Sequence, residues 1–405
     1  MSTFTVAPPI NTESSARRAP TRAELHARIA PFTRSSFARG GLSFVLDVAL
    51  FTAGIAAVLL LDNLAAKLLG GLLAGLSLVN LGALAHEAAH GALVPSKRAN
   101  KVLGVAAMTM VLFNYRLWIY DHHVLHHAGT NVKGHNSFSP LSPDEYASLS
   151  PLRRALYRAY RSEWLAGVFL YYLFERWPGV HLYPGAWLPA RFHASAWRYT
   201  ALQGAFGAAL LAVLIGGSLA TGGSVALALL CGFALPYTIW LTVFSMTVGL
   251  QHTHPRLPWY RRRSEMAASP AELSVQLLVP GWFNFLTHYA LEHPVHHVSA
   301  MIPHYHLRNA QAELGAVATP PVIAMPFTVG EMRGVFRRCK LFHYERQVWV
   351  DFQGRVTAVP DAAFRRPAAA EGLPYSAEPD SPGVFFPSDR ASSPEPTVTA
   401  RREDA

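Results

Sequence analysis

The sequence predicts an all-α integral membrane protein, with four transmembrane helices in two hairpins and a cytoplasmic histidine-rich cap. Three observations lead there. The 405 residues are 51% hydrophobic and 15% charged, with a mean hydropathy of +0.18, whereas soluble domains carry about 25% charged residues. Four apolar stretches, 43–61, 64–85, 201–220 and 224–250, reach the length of about 20 helical residues that crosses a bilayer. Each pair is joined by a few residues, around Asp62-Asn63 and at Thr221-Gly222-Gly223, so each hairpin returns to the side it left.

The remaining segments follow in chain order. Residues 1–40 are a basic, polar arm with no apolar core of a signal peptide, expected to stay in the cytoplasm. The folded domain is expected over 41–355. Within it, VLGVAAMTMVLF at 102–113 is too short to span and reads as re-entrant or interfacial. WLAGVFLYYLF (164–174) and the Trp- and Pro-rich stretch up to Trp197 read as interfacial too, because Trp and Tyr favour the headgroup level. From 356 to 405 Pro, Ser and Ala dominate, which predicts a disordered tail. The net charge of +10 lies largely in the N-terminal arm and between the apolar stretches. Lys and Arg there mark a cytoplasmic face and suit anionic lipid, with no nucleic acid expected as partner. Two cysteines, Cys231 and Cys339, exclude a disulfide framework, a Cys-rich zinc site and a rubredoxin-like module. Any metal must therefore be held by nitrogen and oxygen.

Nineteen histidines are present, and they cluster. LGALAHEAAHGAL carries His86 and His90, four apart and so on one helix face. This H-E-x-x-H run is also the zinc-protease signature, with Glu87 as base. DHHVLHHAGTN carries H-x-x-H-H at His123, His126 and His127, preceded by an extra His122. LEHPVHHVSAMIPHYH repeats H-x-x-H-H at His293, His296 and His297, and LQHTHP places His252 and His254 just past the fourth span. All four groups leave hairpins on one side if 102–113 does not cross, and can meet at one site. His181, His193 and His343 are expected to be surface or hydrogen-bonded residues. A catalytic zinc takes three protein ligands. Eight box histidines with His252 as a ninth are too many for one zinc. They suit two metals of higher coordination number, such as a dinuclear iron site that activates oxygen.

With these motifs the chain resembles the membrane fatty acid desaturases over roughly 40–350. Within that family it is most similar to the oleate (delta-12) desaturase-like branch, which shares Q-H-T-H-P (Gln251–Pro255) and the third box followed by M-P-H-Y-H, here Met301-Ile302-Pro303-His304-Tyr305-His306. The resemblance implies a di-iron centre, with dioxygen as co-substrate, that removes two hydrogens from adjacent carbons of an acyl chain. It implies a lipid or acyl-thioester substrate and a separate electron donor, ferredoxin or cytochrome b5 with its reductase, since no fused haem motif is present. The enzyme would be multi-pass with its catalytic face cytoplasmic, in the cell inner membrane if the source is bacterial. Carried over, His86, His90, His123, His126, His127, His293, His296 and His297 become ligands, with His252 the additional one. The extra His122 leaves two candidates for the first ligand of box two. The spacing and the following Thr130-Asn131 favour His123. Glu87 reads as an acceptor that orients a ligand histidine. Phe113, Tyr115, Trp118, Trp282 and Phe285 are candidates to line an apolar slot. The alternatives are a related hydroxylase, ketolase or acetylenase on an acyl or carotenoid chain, an integral-membrane zinc protease, and a metal transporter.

Overall fold

The computed structural model describes residues 20–365, apart from 135, 165 and 319. The chain enters through α1 (Arg22–Ile29), opened by a capping box between Thr21 and Glu24. Ile29 packs with Val295, Ile302 and Leu307, so this part of the basic arm lies folded on the segment that carries the third histidine box. α2 (Phe37–Leu60) starts at the Ser36 cap, and α3 (Leu64–His90) at Asn63, whose side chain accepts from Ala65 and Ala66 N–H. A Cβ on Gly54 would lie 2.5 Å from the Gly70 carbonyl oxygen, and one on Gly70 would lie 2.7 Å from that of Gly54. Two glycines thus let α2 and α3 approach backbone to backbone, the contact that small residues permit between apolar helices. Lys67, near the start of α3, is buried and donates to the Val58 carbonyl at 2.6 Å.

α4 (Lys97–Met110) is followed, after a bend of 112°, by α5 (Tyr115–Ile119), which runs on as a π-helix over Tyr120–His126. α6 (Pro143–Ser148), α7 (Pro151–Tyr160) and α8 (Ala166–Tyr171) precede a second π-helix, Tyr172–Leu182. α9 (His193–Ala220) is the third long apolar helix. The fourth is the run Val225–His252, made of α10 (Val225–Leu229), a π-turn Leu230–Ala234 and α11 (Leu235–His252). Pro236 lacks the N–H that would continue the α ladder, which accounts for the wider turn before it. Among the described residues, four helices are long and apolar enough to cross a membrane, those the hydropathy marked, and α4 with α5 and its π-helix would add a fifth only if the bent pair were one span.

Beyond α11 come α12 (Gly281–Leu286), α13 (His293–Val298), α14 (His304–Val317) and α15 (Val329–Arg338). This region corrects the all-α expectation. β1 (Val275–Leu278) pairs in parallel with β2 (Ile323–Pro326), while β3 (Leu341–His343), β4 (Val348–Val350) and β5 (Val356–Ala358) form an antiparallel sheet. Strands of three or four residues are shorter than the window in which alternation is readable. β5 and Phe364, which is 1% exposed and accepts from the Tyr260 hydroxyl, carry the fold past the boundary expected at 355. The rest of the expected tail lies outside the described residues. The main apolar core gathers Leu78, Leu81, Trp240 and Leu250 from the long helices and Phe113 from the link between α4 and α5 with Trp259, Phe336 and Trp349 from the C-terminal part.

Candidate metal centre

α3 ends at Gly91, in the left-handed conformation, and its last turns carry His86 and His90 on one face. The π-helix at Tyr120–His126 sets which box-two rings face the other histidines. Its bonds close five residues apart, as in His127 N–H to His122 carbonyl at 3.0 Å. That wider turn puts His122, not His123, on the face of His126 and His127. The α-helical spacing that favoured His123 does not hold here. His252 is the last residue of α11, and α13 supplies His293, His296 and His297 at helical spacing.

The nitrogens converge in two groups. One joins His86, His90, His122, His127 and His296, the other His126, His252, His293 and His297, with the offered atoms of each group within 4.8 Å of one another. The groups adjoin, since the His127 and His297 ring centres are 4.8 Å apart. Eight of the nine residues expected from the sequence stand in these groups, and His122 takes the place of His123. His123 stacks on His90, ring centres 4.0 Å apart, with its Nε2 buried and without a hydrogen-bond partner.

The donor set fits metal. Nε2 atoms face one another at 2.9 Å (His86 and His122), 3.1 Å (His127 and His122), 3.1 Å (His296 and His127), 2.8 Å (His252 and His293) and 2.9 Å (His297 and His293). His122, His127 and His293 each face two of these neighbours through a single Nε2, the convergence that a shared cation satisfies. Burial, then the neighbouring His126, holds the His127 imidazole down at about 2. Burial and neighbouring rings likewise keep His293, His296 and His297 well below the usual histidine range. Neutral imidazole is the ligand form. Two of the rings are held from behind: His126 Nδ1 bonds Asn136 Oδ1, and His252 Nδ1 lies 3.1 Å from the Leu273 carbonyl. Asn136 is itself fixed through Nδ2 to the Gly129 carbonyl at 2.8 Å. Asn131, left-handed at φ 57°, ties box two to the end of α11 by donating to the His252 and Pro258 carbonyls.

Glu87 does not orient a ligand. One residue on from His86 it faces about 100° round the helix, where its carboxylate meets His304 Nδ1 at 3.0 Å. His304 Nε2 reaches Ser43 Oγ at 3.0 Å, its ring lies 4.6 Å from that of His288, and His288 Nε2 meets Asp47 at 2.7 Å. A protease base would have to face the metal groups, and this carboxylate is turned away from them. His304 and His306 stand outside both groups, as does His254. Asp47, within the first apolar stretch, was a legible signal, since a charge inside a span marks a partner.

A cavity of about 140 Å³ runs from the histidines His86, His122 and His293 between Val79, Val111, Phe113, Phe244 and Trp240. Trp240 reaches across α3 because residue 82 is glycine, where a Cβ would lie 2.2 Å from the indole. Phe113 and Trp118 line the cavity as expected, and Tyr115 does not. Trp282 and Phe285 are turned outward, and Phe283 takes their place. His181, expected to be a surface or hydrogen-bonded residue, is buried, its Nδ1 without a hydrogen-bond partner, and stacked on Phe113 with ring centres 4.1 Å apart. Sequence reasoning also missed one polar wall of the cavity. There Arg176 donates to both oxygens of Asp121 at 2.7 Å, beside Tyr172, whose hydroxyl donates to Ser137 at 2.6 Å. Nothing in the stretch around Arg176, read as interfacial, announced it.

The family model described as fatty acid desaturase matches residues 63–328. A probable fatty acid desaturase of Sorghum bicolor is 29% identical over 264 residues, 63% of this chain and 66% of its own length. The sn-1 acyl-lipid omega-3 desaturase (ferredoxin) of Synechocystis sp. is 29% identical, covering 66% of this chain and 72% of its own. The sn-1 oleoyl-lipid 12-desaturase of Picosynechococcus sp. is 24% identical, covering 67% and 76%. The chain spans from 49% to 66% of the length of several plant relatives that it matches.

Proposed function

The chain belongs to the fatty acid desaturase family, and from that premise we propose that it introduces a double bond into a fatty acyl chain, using dioxygen and electrons from a separate donor. The observation that carries this reading is the pair of adjoining histidine groups, five and four nitrogens, at the end of an apolar cavity. Nine imidazoles suit two irons. When bound, these would supply the oxidising power to take hydrogens from unactivated carbons. His86, His90, His122, His127 and His296 would hold one, and His126, His252, His293 and His297 the other.

The chain's own residues do the rest. Asn136 fixes the His126 ring so that Nε2 points inward with its lone pair free. Val111, Phe113, Phe244 and Trp240 give the cavity the shape that positions a chain without polar handles and keep water from its length. Ferredoxin is the favoured donor, since the Synechocystis relative carries it in its name. The four apolar helices are proposed to form two hairpins, 43–61 with 64–85 and 201–220 with 224–250, with the histidines on the cytoplasmic side. Expression in a host with a simple lipid composition, followed by fatty acid profiling and metal analysis, tests the reading. A new unsaturated species and two irons per chain are expected. An unchanged profile with iron-replete protein, or a single zinc, would overturn it.

A further inference from the structure

α12 has two faces. Phe283 and Thr287, just past its end, line the cavity beside the histidines. Trp282, Phe285 and Leu286 point the other way and are 65%, 64% and 51% exposed, with Leu278 exposed just before them. Three large apolar side chains on one turn would be unfavourable in water.

What covers them follows from the depth of the next residues. His288, two positions after α12, bonds Asp47 on α2, and Asp47 accepts from Asn80 on α3 at 3.1 Å. Asp47 lies 13 residues before the end of α2, about 20 Å at 1.5 Å per residue, and Asn80 lies 16 residues into α3, about 24 Å. The polar turn Asp62-Asn63 joins these helices and marks one boundary of a hydrocarbon layer about 30 Å thick. His288 therefore reaches a level some 6–10 Å inside the opposite boundary. Around Asp47, the α2 residues Leu42, Val45 and Leu46 are exposed apolar surface at that same level. Two residues of chain span at most about 7 Å, so α12 cannot stand far above it. His288 and Tyr289 are both left-handed, at φ 51° and 55°, a costly conformation for such residues that persists where contacts enforce it. The bond to Asp47 is such a contact.

We propose that α12 lies in the acyl layer of the bilayer, with Trp282, Phe285 and Leu286 against lipid chains and Phe283 against the catalytic cavity. It is the wall between membrane and cavity, and an acyl chain passes from the lipid into the cavity along it. The passage rests on the acyl-chain reading of the cavity. The depth of α12 does not.

The full chain is reconstituted in phosphatidylcholine–phosphatidylglycerol vesicles with a nitroxide on a cysteine placed at Trp282 or Phe285. Cys231 and Cys339 are buried and so shielded from the label. References are Leu46, on the lipid face, and Glu313, an exposed position on α14. Labels at both sites are expected to behave as at Leu46, relaxed by dissolved oxygen and shielded from a water-soluble nickel chelate. Behaviour as at Glu313 would overturn the placement, whatever the enzyme's activity. Trp282→Glu should cut turnover of vesicle-borne acyl chains at least tenfold with iron content unchanged, and Trp282→Phe should restore it. Equal turnover in wild type and Trp282→Glu would overturn the passage along α12.

Discussion

His122 Nε2 lies 2.9 Å from His86 Nε2, whereas the ring one residue further on, His123, stacks on His90 and points at neither group. The π-helix of box two thus exchanges one histidine for its neighbour, and this exchange can be tested directly. His122→Ala should lower bound iron by half or more and activity by at least a hundredfold. His123→Ala should keep its metal and lose far less activity, because its ring lies outside both groups. Iron analysis of both purified variants decides, and the reverse order would return His123 to the ligand set.

Asn136 holds His126 from behind. Asn136→Ala leaves that ring free to turn and should weaken metal binding by about 10–100-fold. Asn136→Asp keeps an acceptor at the same place and should retain most of it. Competition against a chelator measures both, and equal loss in the two variants would show that the bond to His126 Nδ1 is not what matters.

Glu87 and His304 form a buried pair that fastens α14 to α3. Removing either partner leaves the buried hydrogen-bonding group of the other unpaired. Glu87→Gln should keep iron and measurable desaturation, because the amide oxygen still accepts from the imidazole. Thermal denaturation of Glu87→Ala, His304→Ala and the double variant should be non-additive by about 1 kcal/mol or more. Additive losses would mean that the two residues act separately.

The metal-free protein should lose stability in mild acid. His127, His293, His296 and His297 bind protons in the folded chain only well below their ordinary value, His127 at about 2. The unfolded chain takes them up near 6.5. Stability is therefore complete above about pH 6.5 and falls as the pH drops from there toward the folded values. Protons compete with metal for the same nitrogens, so iron should leave in the same window. Melting temperatures of the metal-free chain at pH 7.5 and 5.5 check the sign, and equal values would contradict it.

How much of this was legible depended on the range of the interaction. Composition and four runs of about 20 apolar residues are enough to place the chain in a membrane, because a span is a local property that hydropathy reads directly. The box spacings are local as well, and eight of nine clustered histidines could be named from them. Spacing translates into a shared face only through an assumed helical period. Where Tyr120–His126 adopts the wider π turn, the same letters select His122 instead of His123. Glu87 and His304 are 217 residues apart and Asp47 and His288 are 241 apart, as Asp121 and Arg176 are 55 apart. No pattern in one dimension pairs them. The packing of α14 on α3, of the α12 segment on α2 and of the second π-helix on box two chose these partners, because a buried carboxylate takes whichever donor the fold brings within hydrogen-bond reach.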